Sequence, residues 1–80
     1  MPESDRPYNL EALSYGLVLL QEICQGYDTP IYRNRAIRQI AYGGSPYIGG
    51  QLLPDWKYGK ITTQDLIHCI EKALVDVYAS

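Results

Sequence analysis

Three side chains in this sequence have the chemistry of a nucleophile, a general base or a zinc ligand: Cys24, His68 and Cys69. A catalytic thiol needs a base within hydrogen-bonding distance, and a zinc site needs about four ligands, usually at short characteristic spacings. The three residues have no such spacing. Their helical positions predict buried, reduced thiols and a solvated histidine, so we expect no catalytic residue and no metal ligand.

Residues 59–65 resemble the second half of a calcium-binding EF-hand loop, because a glycine is followed six residues later by Asp65. Such a loop also needs oxygen ligands in its first half, where this sequence has Pro54, Trp56 and Tyr58. The segment is better interpreted as a glycine turn that leads into a capped helix. No glycine-rich segment matches a phosphate-binding loop, and we therefore expect no cofactor.

Tyrosine, tryptophan and arginine accumulate between residues 32 and 58. These residue types are enriched where proteins bind one another, because a rigid ring or a planar guanidinium fills a pocket on the partner. We therefore predict a small non-catalytic interaction module, an adaptor, inhibitor or assembly factor that binds another protein or itself. The predicted contact residues are Tyr32, Arg35, Arg38, Tyr42, Tyr47 and Trp56. For Trp56 the alternative is a place in the core, since tryptophan is heavily buried on average.

A second hypothesis is a helical regulator that binds nucleic acid through its arginine-rich second helix. That helix also carries Arg33, Asn34 and Gln39, which are types that contact phosphates and base edges. The net charge of −2 and a total of seven lysines and arginines disfavour it, because duplex binding commonly uses about 6–10 phosphate contacts. A small enzyme or ligand-binding protein is the third and weakest alternative.

The chain has 80 residues, of which 46% are hydrophobic and 20% charged, as in an ordinary soluble globular domain. Its longest apolar run, residues 17–20, is far shorter than the roughly 20 residues that span a bilayer. The first seven residues are polar and acidic rather than basic and apolar, unlike a signal peptide. These features predict a small acidic cytoplasmic protein that does not enter a membrane.

Helix 1 is predicted over about residues 10–25, with Asn9 as its N-cap. Apolar residues at steps of three and four form two adjacent stripes, wide enough to contact two other helices. Gly16 lies within these stripes, where the missing side chain lets another helix approach closely at a cost of about 1 kcal/mol in helix propensity. Gly26 ends the helix.

Two further helix starts can be recognised by their capping residues. Thr29-Pro30 is a cap followed by proline, which predicts helix 2 over about residues 30–42. Thr62 and Asp65 form a capping box, which predicts helix 3 over about residues 63–78. The polar outer side of helix 2 is the predicted binding surface.

The fold class that follows is all-α, a small three-helix bundle. Residues 43–61 are predicted as a long, ordered loop, rich in glycine, proline and aromatic residues, between helices 2 and 3. Within it, Gly49-Gly50 is the candidate turn of a short hairpin. Residues 1–8 are predicted as an N-terminal tail and 9–80 as a single helical domain. The loop from residue 45 to 58 either closes the end of the bundle or forms half of the binding surface.

Overall fold

The computed structural model describes residues 9–79, and these are all-helical, as the sequence predicts. The helices are α1 (Leu10–Cys24), α2 (Pro30–Gly43), α3 (Leu53–Lys57) and α4 (Thr63–Ala79), and a π-helical turn (Ile48–Leu52) leads directly into α3. No strand occurs in this part of the chain. The predicted tail, residues 1–8, and Ser80 lie outside the described residues.

The predicted helix caps are confirmed. Asn9 Oδ1 accepts a hydrogen bond of 3.1 Å from a backbone N–H in the first turn of α1, and Thr29 Oγ1 accepts one of 3.2 Å at the start of α2. Before α4, the Asp65 N–H donates to Thr62 Oγ1 at 3.0 Å, and the Thr62 N–H donates to the Asp65 carboxylate at 3.1 Å. These bonds satisfy backbone donors that a helix start leaves unpaired, so each helix begins where its cap stands.

The capping box should make stability depend on pH. Hydrogen bonds from the Thr62 backbone and side chain lower the pKa of Asp65 below its ordinary value. The box therefore stabilises the fold fully above the pKa of an unfolded-chain aspartate, and this contribution disappears as pH falls through the lowered folded pKa. We expect the Tm of Asp65→Asn to be lower than that of the unsubstituted chain at neutral pH. In strong acid the two Tm values should approach each other, as measured by thermal denaturation. A Tm difference that stays constant with pH would contradict this prediction.

The predicted long loop is wrong for most of its length, because residues 46–57 are helical. We call these residues the third helix; it comprises Pro46, Tyr47, the π turn and α3. Four helices therefore pack together where the sequence predicts three. Gly49 and Gly50 lie inside the π turn rather than in a hairpin.

The third helix starts by the same device as α2. Ser45-Pro46 repeats the cap and proline of Thr29-Pro30, and Ser45 Oγ accepts a hydrogen bond from the Ile48 N–H at 3.3 Å. Pro54 has no N–H to donate to the preceding turn, and the π turn, in which the Leu53 N–H donates to the Ile48 carbonyl, lies directly before it. With this spacing four large apolar residues of the helix are buried, Ile48, Leu52, Leu53 and Trp56, and Tyr47 is left exposed.

Helices α1 and α2 form a closely packed antiparallel hairpin. A Cβ added to Gly16 would lie 2.7 Å from Ile40 Cγ1, so the predicted close approach at Gly16 is confirmed. At the open end of the hairpin the Asn9 N–H donates to the Gly43 carbonyl at 2.8 Å. The third helix and α4 cover the inner side of this hairpin, and the described residues measure 40 × 20 × 19 Å. No helix among residues 9–79 is long and apolar enough to cross a bilayer.

One core joins all four helices, and its largest completely buried side chains are Leu13, Leu20, Ile40, Ile48, Leu66 and Ile70. Cys24 and Cys69 lie outside it, so their predicted burial is wrong. The buried side of each helix is narrower than the apolar arc of its sequence. Cys24, in the last turn of α1, falls on the margin of that arc, and its Sγ donates to Gln64 Oε1 at 3.6 Å.

Candidate interaction surface

Three of the six predicted contact residues share one exposed stripe of α2. Arg35, Arg38 and Tyr42 follow Ile31 at steps of four, three and four, which places all four on one side of the helix. All four are exposed, Ile31 to 66% and Tyr42 to 76%. The stripe lies opposite Ala36 and Ile40, which are completely buried, so it faces away from the core.

A matching row on α1 was not predicted. Glu11, Tyr15, Val18 and Glu22 follow one another at the same steps of four, three and four, and Tyr15 and Val18 are about half exposed, to 48% and 49%. The first two line an open groove of 420 Å³ together with Gln39 and Tyr42 of α2. The row on α1 therefore lies beside the stripe on α2.

We call these eight residues the hairpin face: Glu11, Tyr15, Val18, Glu22, Ile31, Arg35, Arg38 and Tyr42. Its charges are sorted by helix, with the carboxylates on α1 and the guanidinium groups on α2. Within residues 9–79, none of these four charged side chains takes part in an ion pair. The face thus combines large apolar side chains with charges that remain available to a partner.

Arg33 is bound within the chain, in contrast to Arg35 and Arg38. Its Nε and Nη2 donate to the two carboxylate oxygens of Asp28 at 2.5 and 3.0 Å. These bonds lower the pKa of Asp28 and raise that of Arg33. The pair joins the segment before α2 to the first turn of that helix. Arg33, unlike Arg35 and Arg38, would have to give up this ion pair to bind a partner.

Tyr32 lies beside the hairpin face rather than on it. Its ring stacks on that of Tyr27 with centroids 5.7 Å apart, and its side chain packs partly against the core. It is half-buried, whereas the sequence predicts a solvent-facing position. Tyr32 can therefore support the hairpin face from one side but offers a partner little area of its own.

Tyr47 is exposed to 59% but belongs to a different surface. It lines a groove of 320 Å³ between the third helix and α4, together with Cys69, Lys72 and Asp76. The structure therefore does not bring Tyr47 into one groove with the α2 stripe. The predicted single surface divides into two.

Trp56 is a core residue, as the alternative interpretation of the sequence holds. Its side chain is 2% exposed, and its Nε1–H donates to Thr63 Oγ1 at 2.9 Å. The Arg33 guanidinium lies 4.9 Å from the centroid of its ring, close enough for a cation–π interaction. With 2% of its surface accessible, Trp56 cannot contact a partner directly.

The side chains with catalytic or metal-binding chemistry do not form a cluster. The Cys24 thiol bonds to Gln64 rather than to His68, and His68 and Cys69 are both exposed on α4. No group of three or more histidine, cysteine, aspartate or glutamate side chains in the described part of the chain is arranged to hold a metal ion.

Comparison with known proteins gives no relative on which a function could be based: no family model, curated protein or solved structure matches the chain.

Proposed function

We propose that the protein is a small, non-catalytic protein-binding module, and that the hairpin face is its binding surface. The observation that carries the proposal is the exposure of four large apolar side chains, Tyr15, Val18, Ile31 and Tyr42, on one side of one helical hairpin. Single exposed apolar residues are normal on any protein. Tyr15 and Tyr42 line one groove, while Arg35 and Arg38 lie between Ile31 and Tyr42 along α2. Several large apolar side chains grouped with polar residues on one surface are typical of a site where another protein binds.

The residue types of the face support the same conclusion. Tyrosine and arginine are over-represented among residues that contribute most to protein–protein binding. Arg35 and Arg38 have no ionic partner within residues 9–79, so each can pair with a carboxylate on another protein without breaking a bond in this one. Of the residues predicted from the sequence, this surface keeps Arg35, Arg38 and Tyr42.

A protein partner suits this face better than a nucleic acid. Glu22 lies level with the residues just before Arg35 on the neighbouring helix. Its negative charge opposes the approach of phosphates, whose neutralisation supplies most nonspecific affinity for nucleic acid. A protein surface can offer both signs of charge together with apolar area. We therefore prefer an adaptor, inhibitor or assembly factor to a nucleic-acid-binding regulator.

The two cysteines support a cytoplasmic location for such a module. Cys24 and Cys69 are exposed and not joined in a disulfide. Accessible free thiols persist in reducing compartments, whereas secreted small domains commonly convert their cysteines into disulfides.

Reversing the charge of the α2 stripe should abolish binding and leave the fold intact. In the double variant Arg35→Glu and Arg38→Glu both side chains are exposed, so the change in Tm should be small. Like charges placed against a partner that binds these arginines cost several kcal/mol at an interface. We therefore expect loss of the proteins that co-purify with the tagged chain, or a fall in its mass in solution, measured by affinity capture and light scattering.

The matched control is Lys60→Glu with Lys72→Glu, which makes the same change in net charge at exposed positions outside the hairpin face. This control should keep the captured proteins and the mass. If the arginine variant and the lysine control behave alike in both measurements, the hairpin face is not the binding surface.

A further inference from the structure

The charge pattern of the hairpin face makes the face complementary to itself. Acids occur only in its α1 row and arginines only in its α2 row, while both rows contain two apolar residues. If a second copy is turned over so that its α1 covers α2 of the first, the Glu22 carboxylate meets the Arg35 guanidinium in each of the two symmetric helix pairs. Glu11 lies level with a point beyond Tyr42 and meets no arginine. An isologous dimer requires this kind of self-complementary surface.

The heights of the side chains along the hairpin fit the same arrangement. A Cβ on Gly16 would meet Ile40 and Gln39, and one on Gly43 would meet Ala12, which sets the alignment of the two antiparallel helices. Counting along each helix from these contacts gives the position of each residue along the hairpin axis. Three α1 residues lie at positions that fall between successive residues of the α2 stripe. Glu22 lies level with the gap from Ile31 to Arg35, Val18 with that from Arg35 to Arg38, and Tyr15 with that from Arg38 to Tyr42.

The simplest twofold axes give opposite electrostatic results. The first axis is parallel to the helices and lies in the plane of the face. Rotation about it leaves the position of every residue along the helices unchanged and places α1 of one copy over α2 of the other. The α1 side chains then enter the gaps of the facing α2 stripe, and Glu22 meets Arg35 of the partner subunit. An axis perpendicular to the helices in the same plane places α1 on α1, where acids face acids and repel.

We propose that the occupant of the hairpin face is a second copy of this chain, bound about the axis parallel to α1 and α2. This inference rests on the proposed function and specifies its partner. The apolar side chains supply buried area and the charged rows fix the orientation. A typical stable interface buries about 800 Å² per partner, which is about 15% of the 5366 Å² accessible surface. One long side of this elongated domain can provide that area.

A charge swap tests the dimer at its central ion pair. We expect the mass of the unsubstituted chain, measured by sedimentation equilibrium, to rise from monomer to dimer with concentration. Glu22→Arg alone and Arg35→Glu alone should each raise the dissociation constant by about tenfold or more, because each places like charges together at both symmetric positions. An equimolar mixture of the two variants should recover dimers, since the opposite charges then meet again in the heterodimer.

Lys60→Glu is the control and should dimerise as the unsubstituted chain does. A monomeric unsubstituted chain at every concentration would overturn the dimer. So would a mixture of the two variants that associates no better than either alone. The dimer and the binding function of the hairpin face can fail independently. If the chain is monomeric but the double arginine variant loses a captured protein, the face binds a different partner. Equal Tm values for the two single variants and the control, measured at a concentration too low for any of them to dimerise, would show that the effects arise at the interface rather than from unfolding.

Discussion

Trp56→Ala should destabilise the fold by about 3–5 kcal/mol, the usual cost of truncating a large buried aromatic residue. The ring is 2% exposed and lies in the core formed by all four helices. A domain of this size has a total stability near the low end of about 5–15 kcal/mol. We therefore expect the variant to be partly unfolded at room temperature, as measured by urea denaturation followed by circular dichroism.

Two variants separate the contributions to this loss. Trp56→Phe keeps a buried ring but removes the Nε1–H that donates to Thr63, so its loss should be smaller than that of the alanine variant. Tyr58→Ala removes an aromatic side chain only two residues away that is 73% exposed. This control should change stability by about 0.5 kcal/mol or less. A denaturation midpoint of Trp56→Ala equal to that of Tyr58→Ala would contradict the core position of Trp56.

The burial of Trp56 also shows where the prediction from the sequence was wrong. Glycine and proline between residues 43 and 59 favour a loop, and Gly49-Gly50 favours a turn. Other features of the same residues predict a helix, since Ser45-Pro46 is a cap followed by proline and Ile48, Leu52 and Trp56 recur at steps of four. Tertiary burial of this apolar side outweighs the weak local propensity of two glycines, which costs roughly 1 kcal/mol each. The aromatic residue predicted for a partner thus became part of the core.

The predictions that depended on helix caps succeeded for a physical reason. Asn9, Thr29 and Thr62 each satisfy backbone donors at a helix start, and this requirement is local in sequence. The burial of Cys24 and Cys69 depends instead on how neighbouring helices divide the surface between them. A periodic pattern identifies the apolar side of a helix. It does not show how much of that side the neighbouring helices bury.

Only the α2 half of the hairpin face could be predicted from the sequence. The α2 stripe is evident because arginine and tyrosine are distinctive on a helix exterior. The α1 row contains Glu11, Tyr15, Val18 and Glu22, which is an ordinary mixture for a solvated helix side. Its relevance arises from the antiparallel packing that sets it beside α2, and that packing is a long-range property of the chain. The repeated spacing of four, three and four in both rows is the signal that could have identified it.

Gly43→Ala should separate the two helices that carry the hairpin face and destabilise the fold by about 3 kcal/mol. A Cβ at this position would lie 2.8 Å from the Asn9 carbonyl oxygen and 2.9 Å from both Ala12 Cβ and the Leu13 backbone nitrogen. Two of these three atoms are backbone, so no side-chain rotation relieves the clash. The Asn9 N–H also donates to the Gly43 carbonyl, and moving the helices apart weakens that hydrogen bond.

Gly50→Ala is the matched control, because it makes the same substitution in a helical segment where a Cβ would meet no atom within 4 Å. It should leave stability unchanged or raise it by up to about 1 kcal/mol through the reduced entropy of the unfolded chain. Gly16→Ala should be intermediate, since its closest contact is with the Ile40 side chain, which can partly rotate away. The free energy of unfolding from urea titrations should therefore fall in the order Gly50→Ala, Gly16→Ala, Gly43→Ala. If Gly43→Ala were as stable as Gly50→Ala, α1 and α2 would have to be further apart than the hairpin face requires. The alignment that places Glu22 level with the gap from Ile31 to Arg35 would then also be wrong.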